Sequence, residues 1–430
     1  MSLRKAILAL LFWIAVLRLH ALGQTEVSML KLGLTDVLQQ AETRNLELQA
    51  AKKNIALAQA GKTIAEATLN PRLSCDYPFG LAEPKRTLTL EQPIELGGKR
   101  PARVALARDQ IRQAELQYDL LRWQVRQEAR QAYFELVVSK AARNEAERVV
   151  SIDGELLEIA KKRFAAGDIA EAEVIQAQFA LERTRPRLGS AINRVRQAEI
   201  RLGFILGQPP GTSITPTDEL NLLNQQSFAL SEIQIPPLTV LLDQANRSRL
   251  ELLIAAHQVR LSADQIALAR SGKIPDLAIA GGYIVDPSIP ATSTLVGIRL
   301  DLPIFNTHQG ELDQALASRQ FAVQQLSVLE RQIRMEVESA YENYTAAKSV
   351  LETDLSKILP ESQQVLELAN KSYQLGQTSL TDVLVARQSV QDARDAIFAD
   401  ILNYETASGA LERAVNQPLT EGKNNATTHP

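Results

Sequence analysis

The sequence predicts a mainly α fold: one unit, helix–strand–strand–long helix–turn–helix, occurs twice and carries a small membrane β-barrel that association must complete. Three observations lead there. Internal matches recur in a fixed order, the helices are longer than a compact domain can hold, and four short segments alternate apolar and polar residues.

The repeat is read from five matches. Leu34-Thr35, Ala41 and Leu46-Glu47-Leu48 recur as Leu238-Thr239, Ala245 and Leu250-Glu251-Leu252. Asn70-Pro71-Arg72-Leu73 matches Ile274-Pro275-Asp276-Leu277, and Glu91-Gln92-Pro93-Ile94 matches Asp301-Leu302-Pro303-Ile304. Ala132-Tyr133 pairs with Ala340-Tyr341, and Phe164-Ala165-Ala166-Gly167 with Tyr373-Gln374-Leu375-Gly376. The order is identical in both halves, which predicts a first repeat over 24–206, a junction over 207–237 and a second repeat over 238–416.

Composition agrees. Of 430 residues only 5% are aromatic, although 45% are hydrophobic, which favours long helices packed through small and medium side chains. Length alone would allow two or three globular domains. A net charge of −3 lacks the basic footprint of a nucleic-acid binder, so no nucleic acid is expected as partner. The single Cys75 cannot close an intramolecular disulfide, and no Cys/His cluster has zinc spacing.

Arg4 and Lys5 precede the apolar run from Ala6 to Leu17, and Ala21-Leu22-Gly23 supplies small residues before Gln24. This pattern predicts a secretory signal peptide over 1–23; the alternative, an uncleaved anchor, is made harder by Arg18 and His20. No later apolar window is long enough for a transmembrane helix.

In the first repeat an opening helix is expected from Thr35 to Thr68, ended by Pro71. The period then falls to two, predicting strands over about 71–80 and 86–96, and over about 275–286 and 294–304 in the second repeat. Leu73, Cys75, Leu88, Leu90, Val296, Ile298 and Leu300 take the apolar parity, and Arg, Asp, Glu, Ser and Thr the other. Such strands suit lipid on one side and water on the other, but a half-buried soluble sheet alternates in the same way. From Arg100 to Phe164 only Pro101 and Gly154 interrupt good helix formers. Ala107, Ile111, Ala114, Tyr118, Leu121, Val125, Ala129, Ala132 and Leu136 form a coiled-coil seam, echoed by Leu326, Ile333, Val337, Ala340, Tyr344, Ala347 and Leu351. About 65 helical residues span on the order of 100 Å, so these helices belong in a tube or rod. Four strands cannot close a barrel, and open edges cannot face lipid. Three copies give twelve strands; strand count alone leaves two or four open.

The whole plan resembles the TolC-type outer-membrane efflux proteins, from about Gln24 to Pro418. The resemblance rests on the junction Gln92-Pro93-Ile94-Glu95-Leu96-Gly97-Gly98-Lys99, its partner Leu302-Pro303-Ile304-Phe305, and the hairpin Tyr373 to Leu384 with its counterpart Phe164 to Ile175. The Glu-Leu-Gly-Gly-Lys form looks most like members serving heavy-metal or other tripartite pumps. The resemblance implies a homotrimer whose twelve-stranded barrel sits in outer-membrane lipid and whose helical tunnel crosses the periplasm. It implies a passive exit duct for a tripartite efflux or type I secretion system, with a periplasmic adaptor and an inner-membrane pump as partners. No enzyme activity and no cofactor are expected, as no phosphate loop or Ser/His/Asp set is present. The competing reading is a non-conducting coiled-coil spacer of the envelope.

Gly167 and Gly376 interrupt long helices at equivalent places and permit a reversal with positive φ. By resemblance, Ala166, Gly167 and Asp168 with Leu375, Gly376 and Gln377 form the tips where the adaptor docks. Glu173 and Asp382 each lie six residues past a glycine, where an acid in a helix's first turns is favoured by the dipole. The functional reading makes Asp382, Glu173 and Tyr373 a constriction with a ring of carboxylates. The family's second acid, three residues after Asp382, is here Val385. Tyr373 and Phe164 also suit simple helix packing. His257, His308 and His429 are too scattered for a metal site, and 417–430 reads as a disordered tail.

Overall fold

The computed structural model describes residues 29–76, 85–218, 220, 235–286 and 292–419. The signal-peptide expectation and the tail beyond residue 419 lie outside them. In chain order the first repeat holds β1 (Met29–Leu32), α1 (Leu34–Arg44), α2 (Leu46–Glu66), β2 (Arg72–Asp76), β3 (Arg86–Ile94), α3 (Lys99–Ala165) and α4 (Glu171–Ile205). β4 (Ser213–Pro216) follows. The second repeat holds α5 (Leu238–Ser248), α6 (Leu250–Gly272), β5 (Leu277–Val285), β6 (Ser293–Leu300), α7 (Gln309–Thr353), one π turn (Asp354–Ile358), α8 (Leu359–Gln374) and α9 (Leu380–Val415).

One expectation changes here. The opening helix is two helices, α1 and α2, broken at Asn45, whose ψ of 127° is not helical. Its side chain accepts hydrogen bonds from the Glu47 and Leu48 amides at 2.9 and 3.1 Å, so it caps the new helix. Arg249 makes the equivalent break with ψ 115°. Each break residue also ties its repeat shut: Asn45 donates to the Ile205 carbonyl at 3.1 Å, and Arg249 to the Ala414 carbonyl at 3.1 Å. Within the segment expected as the junction lies β4, which pairs in parallel with β1, Leu30 opposite Ile214.

Two apolar clusters form the girdle of the molecule. One gathers Val37, Ala41, Val125, Ala129, Tyr133, Leu136, Val195, Leu202 and Ile214; the other Leu241, Ala245, Ile333, Val337, Tyr344, Ile397, Ile401 and Leu411. The buried seam positions are those the heptad spacing selects. From this girdle the long helices run one way to a four-stranded sheet and the other way to two helical hairpins. At 1.5 Å per residue, α3 is about 100 Å long.

The sheet order is β2-β3-β5-β6, antiparallel throughout, with β3 against β5 joining the repeats. Two strands stop earlier than predicted: β3 at Ile94, and β6 at Leu300, before Pro303. Residues 77–80 of the first predicted strand lie outside the described residues.

Candidate functional site

Two regions of the molecule have the chemistry of a site, one at each end. In the sheet, register places Leu90, Gly281 and Val296 on one face, with Leu73, Leu88, Ile279, Tyr283, Ile298 and Leu300. This apolar face is the open one: Val296 is 80% exposed and Ile298 75%. On the opposite face Thr87 and Thr89 are half-buried, and Glu91, 7% exposed, meets Arg299 at 2.5 Å. A sheet folded for water does the reverse. β2 and β6 form the two edges of the sheet among the described residues.

The Glu-Leu-Gly-Gly-Lys junction turns the sheet into the helices. Gly97 and Gly98 have φ of 70° and 76°, and a Cβ on Gly97 would lie 2.7 Å from the Ile274 Cβ. Glu95 receives both Arg103 guanidinium nitrogens at 2.5 and 3.1 Å. Lys99 reaches across to Asp276 of the second repeat at 2.7 Å. The motif locks the two repeats together under the sheet.

At the other end the two hairpins close alike. Gly167 (φ 81°) donates to the Phe164 carbonyl and Asp168 to the Arg163 carbonyl, both at 2.9 Å. Gly376 (φ 70°) and Gln377 repeat this to Tyr373 and Ser372 at 3.0 and 2.9 Å. No atom lies within 4 Å of a Cβ placed on either glycine, so backbone conformation alone selects the residue. Ala166 ends α3 in helical geometry, and Leu375 is exposed at the second tip.

Tyr373 and Glu173 come together; Asp382 does not join them. The Tyr373 hydroxyl donates to Glu173 at 3.2 Å and accepts from Arg163 at 2.9 Å. The Arg163 guanidinium also lies over the Tyr373 ring, 5.5 Å from its centroid. Burial raises the hydroxyl's pKa most, with Arg163 opposing and Glu173 adding to the rise. Asp382 instead caps α9, accepting from the Ser379 amide and hydroxyl, each at 2.9 Å. Those bonds, the hydroxyl's first, hold its carboxyl below the ordinary range.

Three residues that sequence reasoning passed over tie hairpin to hairpin. Besides Arg163, Arg387 meets Asp153 at 2.8 Å, and Arg394 meets Glu145 at 2.5 Å. Their only sequence signal is an Arg facing helix interior positions at helical spacing. Between the hairpins runs a groove of about 500 Å³ lined by Asp153, Phe179, Arg183, Leu384 and Val385. His257 bonds the Asp109 carbonyl at 2.8 Å, and His308 (φ 54°) starts α7.

A family described as outer membrane efflux protein matches residues 37–208 and 241–417, once for each repeat. The chain belongs to that family. Among curated relatives of this outer membrane efflux protein is the cobalt-zinc-cadmium resistance protein CzcC of Cupriavidus metallidurans, 24% identical over 90% of both chains. The outer membrane protein TolC of Vibrio cholerae is 23% identical, covering 92% of this chain and 93% of its own. In fold it is similar to the Campylobacter jejuni CmeC outer membrane channel, with a TM-score of 0.74 at 18% identity over 90% of this chain and 87% of that one. The chain is an outer-membrane efflux channel with a periplasmic helical extension.

Proposed function

We propose that three copies assemble into the exit duct of a tripartite efflux or type I secretion system. The observation that carries this is the inside-out sheet: Val296, Ile298 and Tyr283 open, Glu91 covered on the opposite face, and two edges unpaired among the described residues. Because the strands alternate in direction, β6 of one copy can pair with β2 of the next. Three such pairings close twelve strands around water. Helix faces left open in the single chain, with Phe179, Ile200 and Phe204 on α4 and Phe321, Val328 and Met335 on α7, would then pack between copies.

In this reading the hairpin tips Ala166-Gly167-Asp168 and Leu375-Gly376-Gln377 meet a periplasmic adaptor, which couples the duct to an inner-membrane pump. Tyr373, Glu173 and Asp382 surround the constriction, and the Arg163–Tyr373–Glu173 chain latches the second hairpin against the first. The energy source and the choice of cargo belong to the pump. No catalytic group and no cofactor enter the mechanism. The test is membrane fractionation followed by planar-bilayer recording of the purified protein. Outer-membrane recovery with stepwise ion conductance is expected; a membrane-free rod, or one that never conducts even after Tyr373→Phe loosens the latch, sinks the duct and leaves the spacer.

A further inference from the structure

The two long arms are not equal in length, and the difference has an address. Buried seam positions correspond at a spacing of 208 from Val125 and Ile333 through Leu136 and Tyr344. Past the tips the spacing is 209, as in Gly167 and Gly376, Ala177 and Ala386, and Leu202 and Leu411. One extra residue therefore entered the second arm between Tyr344 and Tyr373. In that interval lies the π turn, where the Leu359 amide bonds the Asp354 carbonyl five residues back. A π turn is how a helix absorbs an added residue without losing register. Pro360 follows at once, removing a donor from the next turn. The first arm, α3, is regular α-helix through the same stretch.

Below the turn the second arm is less buried within its own chain. Among the described residues of α8 only Leu359 is buried, and Val365 and Leu368 are exposed. The first arm there buries Asp153, Leu157 and Ala160. α9 runs beside the turn without a break.

We propose that the π turn Asp354–Ile358 is a length-adjusting joint, and that gaining or losing its extra residue bends the α8/α9 hairpin and moves its tip. Two parallel helices about 8–10 Å apart bend when one changes length relative to the other. One residue is about 1.5 Å of rise, so the bend is about 10°. Over the roughly 24 Å from the joint to Gln374 it carries the tip about 4 Å. The joint deepens the duct reading by locating its moving part.

A carboxyl pair lies between the joint and α9: Asp354 of the π turn neighbours Asp400. Among the described residues no Lys or Arg pairs with either. Lys348 is engaged with Glu352 on α7, while on α9 Asp395 faces Arg187, Arg394 is held by Glu145 of α3, and Glu405 by Arg130. Lys357 is exposed one turn on. Burial, then the neighbouring Asp400 carboxyl, raises the Asp354 carboxyl's pKa. The joint's approach to α9 is thus unopposed at low pH and opposed as pH rises through that raised value, when two carboxylates repel.

The experiment measures the distance between spin labels on Asp168→Cys and Gln377→Cys in a Cys75→Ser chain, diluted with unlabelled chain so that only intrachain pairs count. Two populations about 4 Å apart are expected, the second growing as pH is raised. Deleting Ser356, which restores a regular helix, should leave one narrow, pH-insensitive distance. Asp400→Asn, which keeps residue count and removes one of the two carboxylates, should abolish the pH response whether or not the deletion folds. A single distance in the parent chain, or unchanged breadth and pH response in Asp400→Asn, overturns the joint. Bilayer conductance of the same preparations tests the duct separately, so a conducting chain with a rigid tip refutes the joint alone.

Discussion

Asp382 and Glu173 hold the same place in the two repeats and do different work. Asp382 serves its own helix, satisfying the Ser379 amide and hydroxyl, whereas Glu173 accepts a hydrogen bond from Tyr373 of the other hairpin. An acid in a first turn is favoured by the dipole in either case, so the sequence position alone could not separate cap from latch. Tyr373→Phe removes both hydrogen bonds and keeps the ring beneath Arg163. Losing two net hydrogen bonds costs about 2 kcal/mol, or about thirtyfold in an equilibrium. Single-channel recording should accordingly show about thirtyfold more open time, with conductance unchanged. Asp382→Asn should leave open time near the parent value, because its bonds stay within α9. Its depressed carboxyl pKa adds stability above the unfolded value, and that stability fades as pH falls through the folded one. Equal behaviour of the two variants would mean that Tyr373 only packs.

Elements were legible where a period ran long enough. The α3 seam through Ala107, Val125, Ala129 and Leu136 is buried as its spacing required. The breaks at Asn45 and Arg249 were not, since neither residue is a strong breaker and the apolar period continues through both. β1 and β4 are four residues each and about half the chain apart, too short for a period-two signal. The π turn showed only as a change of spacing between repeats. What closes each repeat is a corner in left-handed conformation: Gly207 at φ 62° in the first, Asn416 at φ 53° in the second. Asn416 earns its place by donating to the Ser248 carbonyl at 2.8 Å. Gly207 has no such option, because a Cβ there would sit 2.8 Å from the Arg44 carbonyl oxygen. Gly207→Ala should cost at least roughly 1–2 kcal/mol from the φ alone, with the contact adding to it. Thermal unfolding should show a lower Tm, and an unchanged Tm would remove the corner from the account of what holds the girdle.

At the scale of the whole molecule, low aromatic content fits the proposed assembly. In that duct each chain would supply a wall rather than a globule, packing helices through Ala and aliphatics and leaving its sheet apolar on the outside. The soluble and the membrane readings of that sheet make opposite forecasts for one substitution. Val296 lies at mid-height, level with Leu90 and Gly281, and is 80% exposed. In water, Val296→Arg replaces an open apolar side chain by a charged one and should be neutral or improve solubility. In a bilayer the same guanidinium enters hydrocarbon near the midplane, at a cost of roughly 2–4 kcal/mol per copy, and every copy in an assembly bears it. Glu91→Gln on the opposite face removes the ion pair with Arg299 but places no charge in lipid. Membrane-inserted, heat-resistant assembly should therefore fall sharply for Val296→Arg and stay near normal for Glu91→Gln. Equal yields of inserted protein from the two variants would turn the apolar face away from lipid and toward a protein partner.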